Sequence, residues 1–475
     1  MSSPNVSFAS IPASIRKPGK YFEYNTALAV RTLAANSQKV LLVGQRTTSG
    51  TVAAGVLTDV FNDADAGKYF GFGSQLHMMA SAAINTYPNM ALQAIAMDDA
   101  GGGVAATGTI TVTGSATASG TLTAYIANDV VTVAIAAADT PTIIAAALVA
   151  AITARPDIPV TAAAAAGVVT LTAKNKGTLG NQIKASTAIS GATGVTAPVV
   201  AMASGATDPT TLAATLATVF TAGHTIIATS LNDTANLQLL RSHLDSVSGA
   251  LEQRGAIGVA GHVGTLAQST TLAATINSGR IALGLVPSTL SMPFEVAAAY
   301  AALAASEEDP ARPLNTLALK GVGIIPLANR LSRTEQENAL ANGVTPFEVG
   351  PGDKVQVVRA VSTYTLDANS VPDISLLDIT TIRTLDYVRK TMRERIALRF
   401  PRDKLSSRTP DRVRSELLDV MYKLEELEII DNVELYKPGL IVERDSQDPN
   451  RLNAKIPTDV VNGLHVFGGR IDLIL

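Results

Sequence analysis

The sequence predicts a multidomain α/β (α+β) protein, with an α/β core interrupted by an inserted β-rich module and followed by a C-terminal α+β domain with extended terminal arms. Three observations carry that expectation. Strand-like and helix-like stretches alternate on both sides of residues 104–205, as in a largely parallel sheet covered by helices. Between those limits the pattern becomes short Thr, Val, Ile and Ala alternations broken by Gly, Asn and Asp, and only eight residues from Gly101 to Ser230 are charged. Near the end, two strongly charged segments carry apolar residues at helical spacing. A chain of 475 residues exceeds the usual size of one core, so several domains are expected.

Residues 1–25 read as an N-terminal arm, because Pro4, Pro12 and Pro18 discourage helix while Val6, Phe8, Ile11 and Ile15 are isolated apolar anchors. The α/β domain is assigned to 26–103 and 206–350. Its first half contains the strand KVLLVGQR from Lys39, a helix from Ser74 and the strand ALQAIAMD from Ala91, closing at the Gly101–Gly103 turn. The module at 104–205 holds four alternating runs and one helix over Thr140–Thr153. Its strand-rich patches around Gly120 and Gly167 suggest an internal duplication. After Asp208 come the strand HTIIATS, a helix on Leu237, Leu240, Leu244, Val247 and Leu251, the strand GAIGVAG, the helix TLAQSTTLAATINS, the strand RIALGLVP and the helix PFEVAAAYAALAAS.

Residues 351–475 form the predicted C-terminal domain. DKVQVVRAVSTYTLD reads as its best strand, after a helical turn at Glu335–Ala341. Helices follow over Asp378–Phe400, with the stripe Ile382, Leu385, Val388, Met392, Ile396 and Phe400, and over Thr409–Glu428, with Val413, Leu417, Val420, Met421, Leu424 and Leu427. DNVELYKPGLIVERD reads as strand, and the apolar end IDLIL reads as a strand that needs a sheet to join. From Arg383 to Arg414 there are eleven Lys or Arg against four Asp or Glu, in a chain whose net charge is only −3. That is a placed basic patch, suited to a complementary acidic protein surface.

The sequence holds no cysteine, which removes disulfides and thiolate chemistry, and no tryptophan. The N-terminus lacks a basic head followed by an apolar core, and the alanine-rich runs are broken too often for a membrane span, so no signal peptide and no direct membrane anchor are expected. A phosphate loop is excluded at VGQRTTSGT because Thr51 stands where lysine is required after Gly50, and GFGSQL fails the dinucleotide pattern at Leu76. The five histidines include no HExxH. His224, His243 and His262 permit a metal-site guess, and Asp98 and Asp99 end a predicted strand where α/β enzymes place catalytic groups. An α/β enzyme with an inserted β module is therefore the alternative reading, favoured if Asp98, His224 or His262 converge on a pocket. The basic patch lacks interleaved aromatics and recognition motifs, so no nucleic-acid partner is expected.

The opening SFASIPASIRKPGKYFEYN, the strand KVLLVGQR, the late RTLDYVRKTMRERIALRFPRDKL and the ending VNGLHVFGGRIDLIL together resemble the contractile tail sheath proteins of Mu-like phages and prophages. The IRKPG arm and the arginine-rich helix with FPRDKL are the more specific pieces; the middle contributes little. The resemblance implies a structural subunit and no enzyme, polymerising as stacked hexameric rings around a tail tube and contracting to drive the tube through the host envelope. It implies no cofactor, and as partners the same chain, the tail tube protein, and the baseplate and tail terminator proteins. It places the protein in the virion tail sheath and, during assembly, in the host cytoplasm. A tail-tube protein fits the chain length and the α/β rhythm less well. Under this resemblance the 104–205 module faces outward and 351–475 lies on the inside. Ile11, Ile15, Tyr21, Phe22 and Tyr24 of the first arm, and Ile471, Leu473, Ile474 and Leu475 of the last strand, would link neighbouring subunits through a shared sheet. Arg383, Arg389, Lys390, Arg393 and Arg399 are the candidates for a tube-facing surface.

Overall fold

The computed structural model describes residues 14–22, 33 and 35–474. The first strand, β1 (Lys39–Gln45), is buried on both faces, as its unbroken apolar run requires of a central parallel strand. A short β2 (Leu57–Asp59), α1 (Asp63–Phe70) and α2 (Gln75–Thr86) lead to β3 (Ala91–Met97). Asn62 and Ser74 cap the two helices by accepting from the N–H groups of Asp65 and His77.

An insertion between β3 and the rest of the sheet follows. It contains β4 (Ala105–Thr111), β5 (Gly120–Ile126), β6 (Asp129–Ile135), α3 (Pro141–Thr153), β7 (Val160–Ala165), β8 (Val168–Lys176), β9 (Ala185–Ser190) and β10 (Val199–Ala203). The strands form two sheets, β10-β4-β8-β7 and β6-β5-β9, and α3 buries Ile144, Ala145, Leu148 and Ile152. The patches around Gly120 and Gly167 are two hairpins with two-residue turns, β5–β6 and β7–β8, in different sheets. Ala127 and Ala166 take positive φ in those turns, where a side chain is mildly strained.

The core resumes with α4 (Leu212–Thr218), β11 (Ile226–Thr229), α5 (Thr234–Ser248), β12 (Ile257–His262), α6 (Leu266–Ile276), β13 (Ile281–Leu285), α7 (Pro293–Ser306), α8 (Arg333–Ala341), β14 (Thr345–Gly350) and β15 (Lys354–Val357). These strands complete an eight-stranded sheet in the order β15-β14-β13-β12-β11-β1-β3-β2, parallel except for its two outer strands. The sheet therefore runs past the expected boundary at 350, because β15 pairs with β14 from Phe347–Val357 to Gly350–Lys354. The long strand expected from DKVQVVRAVSTYTLD stops at Val357; beyond it Thr363 binds Ser278 and Ile281 instead of continuing the ladder. Helix α7 is buried on nearly every face, which is why its alanine-rich sequence shows no polar side.

The remainder comprises α9 (Ile379–Arg399), α10 (Thr409–Glu426), β16 (Ile430–Asp431), α11 (Val433–Tyr436), β17 (Ile441–Arg444), β18 (Leu452–Lys455) and β19 (Asp459–Val460). Both long helices lie within two residues of their expected limits. DNVELYKPGLIVERD is half helical turn and half strand, since Pro438 interrupts it. A second apolar core, from Tyr387 to Leu440, holds these pieces together, separate from the large core of sheet and insertion. No helix among the described residues is long and apolar enough to cross a membrane.

Candidate assembly interface

The strand order reverses between the parallel neighbours β1 and β11, so a doubly wound enzyme would keep its ligand crevice at the carboxyl ends of these strands. Here the insertion packs on that end beside β1 and β3, leaving a cleft of about 470 Å³ lined by Asp98, Asp99 and Thr211 into which none of the five histidines reaches. Gln45 donates from Nε2 to Asp99 Oδ1 (2.6 Å) and to the carbonyl of Lys176 (2.9 Å). Asp99 also accepts from Asn175 Nδ2 and from the Lys176 N–H, each at 2.9 Å. Asp98 pairs with Arg46 at 2.7 Å. The carboxylates considered for catalysis thus fasten the insertion and its flanking loop.

The histidines do not converge either. His224 precedes β11, while His262 ends β12, and the parallel register of Ile226 with Ile257 puts them at opposite ends of the sheet. His224 is buried against Gln93 (2.8 Å), and desolvation holds its pKa down to about 4. His262 is bonded through Nδ1 to the Ser269 hydroxyl at 2.8 Å, and His243 packs edge-on to Phe220. Among the described residues no three His, Asp or Glu side chains are grouped to hold a metal.

The basic patch is distributed through the fold. Arg383 is 7% exposed and donates to the carbonyl of Glu307 at 2.6 Å; burial lowers its pKa to about 10. Arg389 bridges the Ser248 carbonyl (2.8 Å) and Asp386 (2.9 Å), and Asp386 also holds Arg280 by two bonds. Arg395 and Arg399 meet Glu416 of α10, and Arg395 reaches Asp419. Glu416 and Asp419, in the middle of α10, thus answer the cations of α9, whereas Glu425 in its last turn accepts from the Val433 N–H. Lys390 donates to the Ala35 carbonyl (2.8 Å), and Arg393 to the Gln253 carbonyl (3.2 Å). Arg402, Lys404 and Arg408, in the connection from α9 to α10, are exposed.

The chain ends look outward. Ile15 and Tyr21 are exposed by more than two-fifths and Phe22 almost wholly; Ile11, Tyr24 and Leu475 lie outside the described residues. After β19 pairs with β16, residues 461–474 form no helix or strand. Ile471, Leu473 and Ile474 are 98%, 83% and 91% exposed, and Leu464, Val466 and Phe467 are nearly as bare. The expected closing strand thus has no strand partner among the described residues of its own chain.

Two features could receive such a segment. Strands β17 and β18 form a sheet of two strands only, which leaves both outer edges open. Beside β18 an apolar groove of about 630 Å³ runs between α9 and α10, floored by Val388, Met392, Ile396, Val413 and Leu417 and walled by Leu452, Ala454 and Ile456. Arg389, Arg393 and Asp403 stand on its rim. The stripe read from α9 therefore forms part of a core and part of an open groove, a distinction periodicity cannot make.

Comparison with known proteins is consistent along nearly the whole length. The family model of the phage tail sheath protein central domain matches residues 204–363, and that of the phage tail sheath C-terminal domain matches 371–474. The Mu-like prophage FluMu tail sheath protein of Haemophilus influenzae is 32% identical over 490 residues, spanning 99% of this chain and 100% of that one. Among solved structures, a sheath tail protein from Desulfitobacterium hafniense aligns with a TM-score of 0.52 at 14% identity, covering 94% of this chain and 97% of that one. One from Listeria innocua gives 0.50 at 14% identity, covering 92% and 94%. The structural likenesses bear on the fold alone.

Proposed function

This chain belongs to the contractile phage tail sheath family and is a structural subunit of the sheath; from that premise we propose that its copies polymerise as stacked hexameric rings around a tail tube, linked through their chain ends. The observation that carries the proposal is the pairing of opposites on one chain: a terminal arm with bare aliphatic side chains, and a two-strand sheet with free edges beside an empty apolar groove. An arm from a second copy, added along β18, satisfies open backbone groups and delivers alternate side chains to the groove. An arm reaching its own groove closes nothing larger than a monomer; one reaching the next copy propagates a helix. The N-terminal arm, with Ile11, Ile15, Tyr21, Phe22 and Tyr24, takes the remaining edge.

The domain assignment follows. Residues 104–205 face outward, and the C-terminal domain lies inside, with the tube, baseplate and tail terminator proteins as further partners. Contraction is a change of packing between two polymer states, in which extended arms keep neighbours tethered while compact bodies rotate. Of the tube-facing candidates, Lys390 and Arg393 present charge at the surface, joined by Arg402, Lys404 and Arg408; Arg383, Arg389 and Arg399 hold α9 in place. Negative-stain electron microscopy of the purified full chain over a range of concentrations tests the proposal. Hollow cylinders or stacked rings are expected, and a monodisperse monomer at the highest concentration overturns it.

A further inference from the structure

The C-terminal arm does not leave its subunit gradually. From Val461 it runs with a period of two: Val461, Gly463 and His465 are partly covered, whereas Asn462, Leu464 and Val466 are exposed, and beyond Val466 every described residue is exposed. His465 is therefore the last residue of the arm held by its own chain. The way it is held is specific. Its Nδ1 lies 3.0 Å from the side-chain amide of Asn315, and its Nε2 faces Asp378 Oδ1 at 3.6 Å. Asp378 is itself gripped by Arg359 through two bonds, Nε to Oδ1 at 2.9 Å and Nη2 to Oδ2 at 2.7 Å. Two residues earlier, a Cβ on Gly463 would stand 2.4 Å from Pro313 Cγ, so the backbone approaches that loop as only glycine permits.

We propose that His465 is a positioning residue for assembly: clasped by Asn315 and Asp378, it fixes the point and direction at which the C-terminal arm leaves its own subunit for the next. The inference rests on the arm-linking reading above and adds to it. The clasp ties one compact body to the other: Asn315, Arg359 and Asp378 are flanked by residues of the large core, whereas the arm leaves β19, which pairs with β16 beside the second core. Asn315 lies in the connection after α7, Arg359 just beyond β15, and Asp378 is the residue that opens α9, where the chain passes from the sheet to the second core. The root of the arm is thus fastened across the two bodies, so a rotation of the second body against the sheet re-aims the arm. Fixing the root also shortens the free tether, which raises the effective concentration of the arm tip at the neighbouring groove.

The test uses the full chain and its critical concentration for assembly, measured by pelleting and electron microscopy, with the thermal midpoint of the unassembled protein alongside. His465→Ala and Gly463→Ala are each expected to raise the critical concentration roughly tenfold, the scale of one lost polar or steric constraint, with the midpoint unchanged. Because the chain has no cysteine of its own, the double variant Asn315→Cys/His465→Cys supplies a readout that general destabilisation would not move. Closing that disulfide should restore assembly, and reducing it should abolish the rescue. Wild-type assembly by His465→Ala, or a closed disulfide that assembles no better than the reduced pair, overturns the inference. A chain ending at Arg470 separates the two levels. If it alone is defective, only the clasp is refuted; if it assembles normally, the arm-linking reading has failed.

Discussion

Alternation along the arm makes a sharp prediction about which terminal side chains anchor it. Ile471 and Leu473 fall on one face of an extended segment, and Asp472 and Ile474 on the other, so the purely apolar pair is the one that enters the groove. Both start nearly fully exposed, at 98% and 83%. Moving each into an apolar site contributes about 2 kcal/mol. Four backbone hydrogen bonds add about 1 kcal/mol each, and ordering four residues opposes them by about 4–6 kcal/mol. The net is about 2–4 kcal/mol per contact, too little to hold two isolated copies and enough when repeated along a polymer. Each added subunit gives one C-terminal arm and receives one, so weakening that contact raises the critical concentration by the corresponding factor. Leu473→Ala should lose about 2 kcal/mol of it and raise that concentration roughly thirtyfold. Ile474→Ala, on the opposite face, should change it by less than about threefold. Neither should alter the thermal midpoint of the unassembled protein, since both side chains are exposed within the subunit. Pelleting across a dilution series reads both numbers. An Ile474→Ala defect larger than that of Leu473→Ala would refute the register, and two silent variants would refute the groove as receptor.

Glu295 is buried at the start of α7, where its carboxylate accepts the Met292 N–H at 2.6 Å, and burial raises its pKa to about 8. The unfolded chain ionises near 4.5 while the folded one keeps the proton, so this group removes stability as pH rises from about 4.5 to 8 and little more above that. Glu295→Gln should therefore flatten the decline in thermal midpoint between pH 5 and pH 8; an unchanged slope counts against the assignment. Asp386→Ala leaves the Arg280 and Arg389 guanidiniums facing each other without their carboxylate, and should lower unfolding free energy by about 3 kcal/mol in urea. A loss below about 1 kcal/mol would mean the junction is held by apolar packing alone. Charge reversal at Lys390 and Arg393 together should weaken tube binding in a cosedimentation assay and do so most at low salt, with folding retained. Equal binding by variant and wild type removes these residues from the tube surface.

Much of the architecture was legible because its residues answer to local rules. β1, α2 and β3 are continuous apolar runs or capped helices, and the insertion announces itself by changing period from helical to two within a few residues of Met97 and back again near Asp208. What escaped notice had no local signal. α1 and α4 are each under nine residues, too short for periodicity to distinguish from a turn. The membership of β15 in the large sheet has no local signal, because a strand's sheet is decided by its partner, and β14 lies across a turn at Gly352 that looks like any other break. The splitting of the insertion into two sheets depends on pairings between β4 and β10, and between β5 and β9, separated by more than fifty residues.

The arginine-rich stretch shows most clearly where reading by composition stops. An excess of cations along one helix is equally compatible with an outward electrostatic surface and with an inward set of tethers, because both require the same residues at the same spacing. The difference lies in what each guanidinium meets, and those partners are distant in sequence: the carbonyls of Glu307 and Ser248 for Arg383 and Arg389, and the carboxylates of Glu416 and Asp419 for Arg395. The acidic half of α10 was the available signal. Two of its acids, Glu416 and Asp419, fall on the face that meets α9. Joining Glu416 and Asp419 to the arginines of α9 identifies two antiparallel helices bound through their facing charges; Arg402, Lys404 and Arg408 in the connection are exposed, and under the proposal above they, with Lys390 and Arg393, are the cations offered to the tube. On that proposal the tube contacts are solvated and can form and break as the sheath changes packing, whereas the buried arginines keep α9 seated.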